Sequence, residues 1–498
     1  DLAYAEFSGA TFASETTFAG ATFEKTARFL DATFEAAASF EETHFRRDGR
    51  FERCAFGGAA TFFGAEFDGW TDDADDAAFE GATFGGDADF GAVAFGTAGF
   101  DGATLAGDAA FARSTFDGLH AVGATFEGPV DLSFVVCEAA VDLSDATFAA
   151  PVDCKEIRFE SDACFADAAF EAGVTFRGTE FLGGAYTVDD ADFTGTTFGD
   201  DADFGVTTFR FGNFAGATFR GAAAFPDAVF EGDARFAGTD LRGEVTFDGV
   251  EFRAAADFSD AAFRLAASFE KVRFHDVATF AGARFRDGAS FRAARFEATA
   301  NMHEEDADFG GAVFEAGVDF GRVTFAYANF DRTTFGEVAA FVGATVHESA
   351  AFRPEPGERG ETLVDLRDAA VGGGTMGQPE TGSAFYDLTG ATVGSVTLDH
   401  SDSDHPLFDH FRFCNTDFEG FDFSAHKAHL AENAWSIHEF AASDAVIPEG
   451  SAAAIDNPAT LENTYLKAKN CASDYGDRKA AAEFFIREMI YRRKKNWK

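Results

Sequence analysis

Residues 7–34 read FSGATFASETTFAGATFEKTARFLDATF, and the interval between the aromatic residues decides the fold. Phe7, Phe12, Phe18, Phe23, Phe29 and Phe34 are separated by alternating steps of 5 and 6, and the alternation continues to Phe67. It returns at Phe159, Phe165, Phe170, Phe176 and Phe181. It then runs from Phe225 to Phe296, through Phe258, Phe263, Phe269 and Phe274, with Leu241 standing in once. It closes with Phe335, Phe341, Val346 and Phe352. A small residue, usually Ala, sits two positions before each large one (Ala10, Ala21, Ala27, Ala32). On a helix, steps of 5 and 6 rotate by about 140° and 240°, scattering the rings to opposite sides. On one continuous strand, a step of 5 changes face and a step of 6 keeps it. The chain must turn between the large residues. A solenoid satisfies this: each short side points one large and one small residue inward, two apart on one strand face, with Gly and Ala at the corners.

The segments Phe7-Ser8-Gly9-Ala10-Thr11-Phe12 and Phe18-Ala19-Gly20-Ala21-Thr22-Phe23 resemble pentapeptide-repeat proteins, of a salt-adapted, haloarchaeal type. The resemblance implies an all-β solenoid, a right-handed quadrilateral β-helix with four sides per coil, here followed by an α-helical tail. Two sides of 5 and two of 6 predict coils of 22 residues rather than 20, and about 19 coils give a rod on the order of 90 Å. Strict steps of 5 appear where Leu and Val replace Phe (Leu366, Val371, Met376, then Leu388, Val393, Leu398), and Phe408, Phe413, Phe418 and Phe423 end the run. The organisation expected is a β-helix with 5/6 spacing over 1–352, its continuation with loops over 353–425, and a helical tail over 426–498.

The tail changes character. Leu430, Ala434, Ile437 and Ala441 fall at helical spacing. A second helix is expected to start at Asn457-Pro458 and to turn Leu461, Tyr465, Ala468 and Ala472 inward. A third, capped by Asp477, is expected to turn Ala482, Phe485 and Met489 inward. From Thr464 onward there are 10 basic and 4 acidic residues, ending in Arg492, Arg493, Lys494, Lys495 and Trp497. Three readings of that end stay open: complementing the helix dipole, lying beside a membrane with Trp497 at the interface, or docking on the acidic flank of the solenoid. The segments Tyr465-Leu466-Lys467 and 476–489 are similar to the helical segment after the repeats in membrane-linked pentapeptide proteins. That similarity implies a membrane or a downstream transmembrane segment as partner.

The 498 residues carry 86 Asp+Glu against 39 Lys+Arg, a net charge of −47, of which −38 lies in 1–352. Such a surface repels nucleic acid, so direct nucleic-acid binding is not expected. Lys is scarce before position 400, as in proteins of salt-loving microbes. Clustered carboxylates such as Asp72, Asp73, Asp75 and Asp76, or Asp87 and Asp89, suit calcium or simply form a solvated face. His400, His405 and His410, five apart, offer imidazoles to a metal or are ordinary solvated or hydrogen-bonded histidines. The six Cys form no CxxC pair and read as reduced, apolar-like thiols. No P-loop, nucleophile elbow, HExxH or dinucleotide glycine pattern occurs, so no enzyme, cofactor or metal site is expected.

The functional reading is a non-catalytic scaffold, a protein-interaction rod held at the cytoplasmic membrane through its basic C-terminal end. The alternative, implied by resemblance to quinolone-resistance pentapeptide proteins, is an acidic DNA mimic acting on a type II topoisomerase. The first residue is Asp1 rather than Met, which leaves open a removed leader and a cell-envelope location. The protein partner is unspecified, and a homodimer is compatible with this reading.

Overall fold

The computed structural model describes residues 5–69, 76–184, 190–297, 306–399, 406–443, 447 and 457–496. The stretch 70–75, with most of the first acidic cluster, and His400, His405 and Trp497 lie outside them. The chain divides into two compact units, Asp1–Ala254 and Ala255–Lys498.

The first unit is a parallel β-solenoid whose sides are mostly two-residue strands. Four ladders run through it. Ala5 pairs with Ala27, Thr11 with Thr33, Thr16 with Ala38 and Thr22 with His44, each partner 22 residues on. The six-residue steps therefore lengthen the coil without breaking register. Within each side the outward residue alternates with buried neighbours. Ala27 and Phe29 are fully buried while Arg28 between them is exposed. Inward rings pile in columns: Phe29 lies 4.8 Å from Phe51 at 3° between planes, and Phe34 lies 4.9 Å from Phe56 at 3°. Rings of facing columns meet edge to face, as Phe29 meets Phe40 at 5.4 Å and 88°. Both arrangements suit the aromatic quadrupole, and each buried ring contributes roughly 1.5–3 kcal/mol of burial before entropy is subtracted. Phe23, Phe29 and Phe34 are buried, whereas Phe7, Phe12 and Phe18 in the first described coil are half-buried.

The second unit continues the same construction within itself. Phe258, Phe263, Phe269 and Phe274 are buried, and Phe258 stacks on Phe280 at 4.8 Å and 1°. From residue 324 on several sides lengthen into longer strands: Thr324–Phe335 with Phe325, Phe330 and Phe335 still inward, Thr345–Pro356 with Val346 and Phe352, and then Ala370–Met376 and Thr392–Leu398, where Val, Met and Leu replace Phe. Leu363 and Phe385 form a small cluster on this side, covered by Phe440 and Ala442.

Among the described residues three α-helices follow: α1 (Lys427–Glu432), α2 (Pro458–Asp474) and α3 (Arg478–Asn496). The helical stripe expected over Leu430, Ala434, Ile437 and Ala441 ends early. Ala434 and Trp435 adopt left-handed φ of 47° and 65°, and the Trp435 N–H donates back to the Leu430 carbonyl at 2.7 Å. The chain then extends along the solenoid's end, where the Phe413 N–H donates to the Ile437 carbonyl at 2.7 Å. A strand-like ladder bond on a buried edge outweighed local helical spacing here. Asn457 caps α2 by accepting from the Ala459 N–H at 3.0 Å, and Asp477 caps α3 by accepting from Ala480 at 3.1 Å.

Candidate functional site: the helical cap and its outer face

The last coils of a solenoid expose a row of unpaired backbone groups and ring faces, an aggregation hazard unless covered. In the second unit, α2 covers them. Thr464 Oγ1 accepts from the Asn415 N–H at 2.8 Å, Lys467 Nζ donates to the Asn415 carbonyl at 2.8 Å, and Tyr475 Oη donates to the Gly420 carbonyl at 2.8 Å. Phe423 packs edge-on against Phe484 of α3 at 4.9 Å, and Trp435 meets the same ring at 5.6 Å. Leu461, Tyr465, Ala468 and Ala472 all face inward, as their spacing predicts. Below them, buried Arg412 forms an ion pair with buried Asp387 and lies over the Phe440 ring at 4.4 Å.

At the centre sits His438, buried between both helices. Its Nδ1 lies 2.8 Å from the Tyr465 hydroxyl and its Nε2 3.1 Å from the Tyr491 hydroxyl. The Ile437 N–H donates to the Tyr465 hydroxyl, and Ser436 Oγ lies 3.2 Å from Nδ1, so both ring nitrogens have hydroxyl partners. Burial pulls the His438 pKa down, against the Glu439 carboxylate and aided by Arg487 and Lys494. Burial pushes both tyrosines up, so all three groups are neutral near pH 7.

The inward face of α3 differs from the expected one. Ala480, Phe484, Glu488 and Tyr491 are buried, while Phe485 is 47 % exposed and Ala482 is exposed. A buried carboxylate on the inner face hid the phase: Glu488 receives Lys469 Nζ and Arg492 Nη2, each at 2.7 Å. The outer face therefore carries Phe485, Ile486 and Ile490. Five apolar residues in seven positions (484–486, 489, 490) exceed one helix face, a sequence signal of two apolar sides.

The basic end splits into two pairs. Arg492 and Lys495 turn inward onto Glu462 of α2, at 2.8 and 3.0 Å, and hold the Glu462 carboxyl below its usual pKa. Arg493 is exposed, and Lys494 lies over the Tyr491 ring at 4.7 Å. The outward surface of α3 is thus an apolar patch bordered by Arg493 and Lys494. Among the described residues no helix is long and apolar enough to cross a membrane.

Elsewhere, the expected chemistry has different owners. His410 is buried in a 3₁₀ turn, Leu407–His410. The aspartates preceding Phe90, Phe193, Phe204 and Phe309 close their own corners. Asp89, Asp192, Asp203 and Asp308 each accept from the N–H two residues on, at 2.8–3.0 Å. In the first unit Asp131, Asp153 and Asp203 line one side of the solenoid, along a shallow groove of about 810 Å³ walled by Pro129, Val130, Pro151 and Val152. The cysteines are free, and burial pushes Cys54 and Cys137 up to about 12 and Cys471 to about 11, the reverse of what a nucleophile needs.

Residues 3–44, 214–262 and 258–305 match the family described as pentapeptide repeats (9 copies). Neither the curated proteins nor the solved structures yield a match.

Proposed function

The chain carries pentapeptide repeats, and from that premise we propose that it is a non-catalytic scaffold for protein interaction, held at the cytoplasmic face of a membrane by the outer face of its helical cap. The observation that carries this reading is the exposure of Phe485, Ile486 and Ile490 beside Arg493 and Lys494 on one helix. Apolar side chains can enter the acyl boundary while cations meet anionic headgroups, which is how an interfacial helix binds. The acidity of the chain does not forbid this. Fields decay within a Debye length of about 8 Å at physiological salt, so the local charge of α3 governs its contact. The solenoid sides remain available to a protein partner. The test is flotation with vesicles of phosphatidylglycerol and phosphatidylcholine against phosphatidylcholine alone. The native chain is expected to float with the anionic vesicles, and F485S/I486S/I490S is expected to stay behind with its fold intact. Equal behaviour of the two proteins would remove the membrane reading.

A second reading has its own observation, the file of Asp131, Asp153 and Asp203 along one side. A DNA mimic of a type II topoisomerase substrate would use such a file. Its ladder is sparse, because Ala110 and Thr175 occupy the same column. At most one carboxylate occurs per coil of about 4.8 Å, against a phosphate every 3.4 Å along each DNA strand. A supercoiling assay decides it: absence of inhibition at micromolar protein ends this reading.

A further inference from the structure

In the first unit, outward carboxylates commonly meet an arginine along the coil axis: Glu6 meets Arg28, Glu24 meets Arg46, and Asp31 meets Arg53. One cluster departs from this. Glu66 lies directly above His44 in the ladder, and Asp68 follows on the same coil. The Asp68 N–H donates to the Phe45 carbonyl at 2.9 Å, which fixes its backbone beside the histidine. His44 Nε2 lies 2.7 Å from Asp68 Oδ2 and 3.6 Å from Glu66 Oε2, and one donor atom from each residue falls within 4.8 Å of the others. The nearest arginine in the column, Arg46, is turned to Glu24 at 3.4 Å. Among the described residues, no lysine or arginine pairs with Glu66 or Asp68, so two carboxylates converge on one imidazole with their charge uncompensated.

We propose that His44, Glu66 and Asp68 bind a divalent transition-metal cation of the Zn²⁺ class. A tetrahedral ion with bonds of about 2.0–2.2 Å holds its ligand atoms about 3.3–3.6 Å apart. The imidazole–Glu66 separation of 3.6 Å is already close to that, and Asp68, at 2.7 Å from the imidazole, reaches it by moving back about 0.6–0.9 Å. The donor set is one imidazole and two carboxylates, which suits zinc and its first-row neighbours. Ca²⁺ takes six to eight oxygens and Mg²⁺ an octahedron of oxygens, so neither matches three donors of which one is nitrogen. All three side chains reach solvent, so water completes the coordination. The column neighbours of the pair are Thr22 below and Ala94 above, which leave room for the ion. Because consecutive coils supply the ligands, the site is set by ladder register rather than by a loop.

This inference is independent of the membrane reading. The test is calorimetric titration of Zn²⁺ into the full chain with millimolar Mg²⁺ present, which saturates indiscriminate carboxylate binding. His44→Gln and Glu66→Gln are each expected to lower the affinity of one site by at least about tenfold. His120→Gln, an outward histidine on another side, is expected to change nothing. In the native chain, the His44 imidazole proton resonances are expected to shift with the same stoichiometry, a readout that needs no variant to fold. If they do not move, or if His44→Gln titrates like the native chain, the three residues are an ion-paired cluster only and the proposal fails.

Discussion

Val206 is 51 % exposed and sits at a corner with φ of +59°. Its branched Cβ crowds the following carbonyl in that region, at a cost of roughly 1–2 kcal/mol, and no burial offsets it. Gly9, Gly20 and Gly64 fill the same kind of corner without the penalty, while Asp31, Glu42 and Arg53 also stand at positive φ. Val206→Gly is therefore expected to stabilise the first unit by about 1 kcal/mol, with part of the relief lost to the greater entropy of the unfolded chain. Urea unfolding measures it, and an unchanged or lower midpoint contradicts the corner assignment. The corners also account for the polar residues just before many phenylalanines. Asp203 accepts from the Gly205 N–H, and Thr61 Oγ1 from Phe63 at 3.3 Å. The sequence shows this as Asp, Asn, Ser or Thr at one position of the repeat. The charge alone drew attention to calcium because a carboxylate that closes its own turn reads no differently from a ligand.

At the scale of elements, the cap depends on neutral His438. Its folded pKa lies below the unfolded value of about 6.5. The unfolded chain therefore binds the extra proton more readily. The cap's stability is full above pH about 6.5 and is lost as the pH falls from there toward the folded pKa. Protonation places a cation in a buried site that Arg487 and Lys494 oppose and the Glu439 carboxylate favours. Hydrogen exchange of the α2 and α3 amides is expected to accelerate as the pH falls below about 6.5, after correction for the intrinsic rate, and His438→Gln should flatten that dependence. A flat profile in the native chain contradicts the assignment. The helices themselves were legible: Asn457-Pro458 and Asp477 announce both starts. The phase of α3 was not, because Glu488 occupies an inward position that only Lys469 and Arg492 make tolerable. The end of α1 was not legible either, since the ladder bond between Phe413 and Ile437 is non-local.

At the scale of the whole molecule, 39 cations can neutralise at most 39 of the 86 carboxylates. The remainder repel one another in any compact state. Added salt screens exposed charges over about 3 Å at 1 M. The melting temperature is expected to rise between low salt and 1 M KCl, and a fall would show that the arginine–carboxylate pairs along the coils outweigh the repulsion. The repeat made the solenoid readable because one spacing rule recurs from coil to coil. The cap's outer face and the His44 cluster were hidden for the opposite reason. Each depends on which residues coil register or helix phase brings side by side, and no recurring pattern encodes that.

The central claim is that rings one coil apart support each other as stacked neighbours, and a double-mutant cycle on Phe258 and Phe280, 4.8 Å apart and 1° from parallel, tests it most directly. Each single change to Ala is expected to cost about 3–5 kcal/mol, with a coupling of about 0.5–1.5 kcal/mol between them. Costs that add within about 0.3 kcal/mol would contradict a stacked column, because independent sites behave that way.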